Sequence, residues 1–71
     1  MGMLKHLSSR GDSETRYSPE DNTVAKRIFD EHLKAGGMAF AFHRPSDVGE
    51  RVKQFNAHAE EIVLVPRMVG G

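Results

Sequence analysis

The chain has no cysteine and no tryptophan, and only one tyrosine. Without cysteine there is no disulfide, no thiolate zinc site and no thiol nucleophile, which fits a reducing compartment. An excess of charge is also missing, because ten Lys and Arg balance ten Asp and Glu. No net positive field draws such a chain to nucleic acid or to an anionic membrane. Long apolar runs are absent too. None approaches the ~20 residues needed to span a bilayer, and no signal-peptide core follows Met1. The expectation is a soluble, cytoplasmic protein with no nucleic-acid or membrane partner. Length is the last shortage. Seventy-one residues make one domain, and a chain this short buries only about 60% of its unfolded surface, so its core is small.

What is present is a clear order of elements. Residues 4–17, LKHLSSRGDSETRY, are polar with sparse apolar points at Leu4, Leu7 and Tyr17. Arg10-Gly11-Asp12 suits a tight turn, since glycine tolerates positive φ and Asp bonds its own backbone. A hairpin with Thr15 and Tyr17 on its return strand follows. SPED at 18–21 is a helix-start signature: Ser18 can cap, Pro19 suits the first turn, and Asp21 sits where a capping acid would. A start at Asn22 is the alternative. Val24, Ala25, Ile28, Phe29, His32 and Leu33 then recur at helical spacing and predict one apolar face. Gly36-Gly37 end the helix, because glycine accepts a left-handed cap.

MAFAFH at 38–43 alternates. Met38, Phe40 and Phe42 point one way and are expected on the core; Ala39, Ala41 and His43 point the other. RPSDVGE at 44–50 is turn-forming, and RVKQF at 51–55 predicts a short, polar edge strand. NAHAEE at 56–61 reads as a turn or one turn of helix. IVLVP at 62–66 is apolar on both sides, as a strand in the middle of a sheet must be. Pro66 lacks an amide donor, so pairing should stop there. One amphipathic helix cannot bury its face alone, and packing it across a small mixed sheet is the economical solution. A last strand that is central must insert between older ones. The expected fold is therefore α+β, a small mixed sheet packed on one helix in the β-grasp arrangement. Residues 1–66 form the domain and 67–71 a flexible C-terminal tail.

The end of the chain, EEIVLVPRMVGG, carries a resemblance. It is similar to the final strand of ubiquitin-like β-grasp proteins, above all the sulfur-carrier type: the small subunit of molybdopterin synthase and the thiamine-pathway carrier. NTVAKRIFDEHLKAGG and MAFAF also stand where the helix and next strand of those families stand. The resemblance covers residues 22–71, and its specific part is the tail. The polar hairpin and Arg67, where a second proline is common, depart from the pattern.

The resemblance implies a protein that is not an enzyme and needs no cofactor. An ATP-dependent adenylating partner activates the carboxylate of Gly71, beside Gly70. A sulfur source or an amine on a target protein then gives a thiocarboxylate or an amide. The chemistry is self-consistent. A carboxylate resists nucleophiles until it carries a leaving group, and two residues without side chains let the backbone enter a narrow cleft. Five residues beyond Pro66 reach at most about 18 Å at ~3.3–3.6 Å each. Arg67, Met68 and Val69 lie where a partner cleft would read them. Terminal glycines also occur in plain flexible ends. The rival expectation is a small β-grasp adaptor, of the kind used in phage or complex assembly, whose last residues are incidental.

Other signals are weaker. The four histidines, His6, His32, His43 and His58, lack the spacing of a metal motif, and no metal site is expected. GDS at 11–13 would need a large α/β scaffold to act as a nucleophile block, and RGD at 10–12 is explained by a turn. On the face of the central strand turned from the helix, Val63 and Val65 are expected beside Ala39 and Ala41. Such an apolar patch suits a docking partner, unless hairpin side chains or a second copy cover it.

Overall fold

The computed structural model describes residues 2–7, 11–43 and 48–66. Its elements follow the order β1 (Gly2–His6), β2 (Ser13–Tyr17), α1 (Thr23–Lys34), β3 (Met38–Phe42), β4 (Glu50–Arg51) and β5 (Glu61–Val65). The five strands form one sheet in the order β2-β1-β5-β3-β4. β1 and β2 are an antiparallel hairpin, with Gly11 at φ 122° in the connection. β5 lies in the centre, parallel to β1 and antiparallel to β3. One helix packed on a five-stranded mixed sheet is an α+β arrangement consistent with a β-grasp.

The helix starts later than SPED suggests. Ser18 does use its hydroxyl, accepting from the Asp21 amide at 3.0 Å, but this closes a turn ahead of the helix. Asn22 is the capping position. Its side chain donates backward to the carbonyls of Ser18 and Pro19 rather than capping the helix. At the other end, the Gly36 amide bonds Leu33 O and the Gly37 amide bonds His32 O. That pair of bonds is the Schellman closure, and Gly36 takes the left-handed position at φ 97°.

The core is the layer between helix and sheet. Phe29 is fully buried there with Ala25, against Leu4, Tyr17, Ala39, Ala41, Ile62 and Leu64. Ile28 and Leu33 pack at its margin, while Val24, expected on the apolar face, is 64% exposed. Phe55 closes one side, edge-on to both Tyr17 and Phe29. RVKQF is less of a strand than expected. The strand itself is Glu50–Arg51, the Val52 amide adds one bond to Ala39 O of β3, and Phe55 packs against the core.

The facing of β3 is a correction. Ala39 and Ala41 are buried beneath the helix, and Met38, Phe40 and Phe42 face the other way, half-buried. The alternation is as expected but its sense is reversed. The cause is packing. Phe29 fills the space between the layers, and interiors packed to crystal-like density leave room for only a methyl on the strand below.

Candidate functional site

The site expected from sequence has three parts: the tail, its root at the end of β5, and the open face of the sheet. The tail residues Arg67, Met68, Val69, Gly70 and Gly71 lie outside the described residues. The root and the open face are described.

At the root, His32 reaches from the last turn of α1 to the last residue of β5. Its Nε2 lies 2.7 Å from the carbonyl oxygen of Val65. A carbonyl only accepts, so Nε2 carries the proton. The ring of His6, from β1, meets the His32 ring edge-on at 5.0 Å. Gly37 makes this possible. A Cβ there would run into the His32 ring at Nε2, so only glycine leaves room for it. The helix cap, the imidazole and the strand end are thus one assembly, next to Pro66.

Cross-strand register defines the open face. Met38 stands opposite Val65, Phe40 opposite Val63, and Phe42 opposite Glu61. Residues directly opposite share a face, so Val63 and Val65 belong with Met38, Phe40 and Phe42. They do not belong with Ala39 and Ala41, which pair with Leu64 and Ile62 on the helix side. The expected patch of four is therefore split across the two faces of the sheet. The open face keeps the two valines and gains three larger side chains that sequence reasoning had assigned to the core. The helix held the missing signal: a stripe with Phe29, Ile28 and Leu33 calls for small residues under it. Lys5 and Glu61 border the apolar strip, with Nζ 3.4 Å from the carboxylate.

A third feature is a polar cleft of about 310 Å³ lined by Pro19, His43, Ala57, His58, Ala59 and Glu60. The carbonyl of Ala59 accepts a 2.6 Å hydrogen bond from the buried Tyr17 hydroxyl. Burial, with Glu61 nearby, pushes the Tyr17 pKa up to about 12. Among the described residues, no group of three or more His, Cys, Asp or Glu side chains could hold a metal ion. None of their helices is long and apolar enough to cross a membrane.

No protein-family model, curated protein or solved structure matches the chain.

Proposed function

We propose that this chain is a ubiquitin-like carrier or modifier that works through the carboxylate of Gly71 and supplies no catalytic residue of its own. A partner enzyme directs that carboxylate onto the α-phosphorus of ATP, releasing pyrophosphate and leaving an acyl-adenylate. Hydrosulfide-level sulfur or a lysine amine then displaces AMP, giving a thiocarboxylate or an amide. The observation that supports this reading is the placement of β5. It is the central strand, locked on both sides by β1 and β3, and it leads through Pro66 directly into RMVGG. A body anchored that firmly at the root can be gripped while the last residues enter a cleft.

The open face is the natural grip. Val63, Val65, Phe40 and Met38 form its apolar strip, with Lys5 and Glu61 at the margin. Arg67, Met68 and Val69 would be read by the cleft itself. The same strip also favours the adaptor reading, in which the face docks and the tail does nothing. One experiment separates the two. ATP–pyrophosphate exchange is measured with a candidate adenylating enzyme, using the native chain and a Gly71 deletion. The carrier reading expects exchange that disappears on deletion. Exchange that persists would sink it, and binding without exchange would leave the adaptor.

A further inference from the structure

The outer edge of the sheet is self-complementary, and we propose that β2 pairs with β2 of a second copy of this chain. The direction of each backbone group along β1 fixes which groups of β2 face outward. β1 donates to β5 from Met3 and Leu7, whose amides bond Glu60 O and Leu64 O. Backbone direction alternates along a strand, so Gly2, Leu4 and His6 face β2 instead. Their partners are Tyr17, Thr15 and Ser13. The inward groups of β2 therefore belong to 13, 15 and 17, and the outward groups to Glu14 and Arg16. β2 is an end strand of the sheet. Among the described residues, no hydrogen bond reaches the outward N–H and C=O of Glu14 or Arg16.

Within Ser13–Tyr17, only one antiparallel self-pairing uses these groups and sets no like charges opposite one another. Centred on Thr15, it sets Glu14 opposite Arg16 of the second copy, and Arg16 opposite Glu14. Both are hydrogen-bonded pairs, so four outward amides and four outward carbonyls are matched in four bonds between the two strands taken together. Both side chains project from the open face and are exposed, so each carboxylate meets a guanidinium across the seam. Thr15 faces Thr15 in the central non-bonded pair, where β-branched side chains come closest. A slip of two residues would put Arg16 against Arg16, or Glu14 against Glu14 with Arg16 facing Asp12 beyond the end of the strand, and like charges directly opposite repel. A slip of one would set outward groups against inward ones. The charged edge, which ordinarily discourages association, here selects a single register. The two-fold axis stands perpendicular to the sheet, so both helices lie on one side of a continuous ten-stranded sheet and both open faces on the other. This pairing is independent of the carrier role.

A ribbon of five residues is a small interface, so association is weak and appears at high concentration. The test is sedimentation velocity from about 10 µM to about 1 mM on the native chain, on Glu14→Arg, on Arg16→Glu, and on the equimolar mixture of the two variants. The native chain should dimerise within that range. Each variant alone places like charges across the seam and should self-associate at least about tenfold more weakly. The mixture should recover the dimer, because the two basic side chains of one variant's edge then face the two acidic side chains of the other's. In parallel, the Glu14 and Arg16 amides of the native chain should gain exchange protection with concentration while Thr15 does not. A native chain that stays monomeric at about 1 mM overturns the proposal. So does a dimer indifferent to both substitutions, or concentration-independent exchange at Glu14 and Arg16.

Discussion

His32 and Val65, thirty-three positions apart, are joined by a 2.7 Å hydrogen bond from imidazole Nε2–H to main-chain carbonyl. This bond ties the end of the helix to the end of the central strand. Replacing His32 by Ala should cost about 1 kcal/mol, the net worth of such a bond, and should speed amide exchange at the end of β5. Gly37→Ala should do more. Its methyl would occupy the space of the ring, so the imidazole must leave its packed position and Val65 O loses its partner, at a cost of about 1–3 kcal/mol. Nitrogen chemical shifts should show neutral His32 as the Nε2–H tautomer. The opposite tautomer would mean that the bond is not made.

Tyr17 sets an alkaline limit. Its hydroxyl is buried and donates to Ala59 O, and its pKa is raised from 10.0 to about 12. The unfolded chain releases this proton near pH 10, while the folded chain still holds it. Between those values the native state binds more protons, so stability falls as pH rises from 10 towards 12. Denaturant midpoints measured at pH 9 and pH 11 should show the fall. Tyr17→Phe leaves Ala59 O without its partner and should cost about 1–3 kcal/mol at pH 7. It should also remove this part of the alkaline decline, and a decline unchanged in the variant would assign it elsewhere.

The two faces of β3 and β5 should respond differently to substitution. Ala39→Leu or Ala41→Leu forces extra methylenes under Phe29 and should destabilise by about 1–3 kcal/mol or more. Val65→Thr, on the half-buried open face, should cost about 0.5 kcal/mol, at the low end for point substitutions. If the proposed grip is right, Val65→Thr weakens binding to the activating partner while leaving the fold intact. Equal destabilisation by Ala41→Leu and Val65→Thr would contradict the assignment of faces.

The sequence was most legible where local chemistry decides the structure. Periodicity placed the helix, Gly36 placed its end, and the unbroken apolar run 62–65, three of its four residues β-branched, placed the central strand. It was least legible where two elements meet. Nothing local to MAFAF says which side the helix covers, because both sides of the strand are apolar. That choice is made by the bulk of Phe29, and it divided the expected patch between the two faces. The Tyr17–Ala59 bond spans forty-two positions and leaves no local pattern. Ser18 misled because a turn and a helix cap use the same bond, a backbone amide donating to the hydroxyl oxygen. Phe55, read as part of an edge strand, instead sets its ring edge-on to Tyr17 and Phe29, a contact between elements that leaves no local pattern.

The strand order bears on how the domain assembles during synthesis. At one edge of the sheet stands the β1–β2 hairpin, and at the other the β3–β4 pair; among the described residues β5 is the strand that joins them. A nascent chain that has not yet exposed Glu61–Val65 holds two half-sheets with no ladder between them. Ile62 and Leu64, both fully buried, are then absent from beneath the helix. Cooperative folding therefore waits until the fifth strand has left the ribosome, and the four strands before it gain little by emerging early.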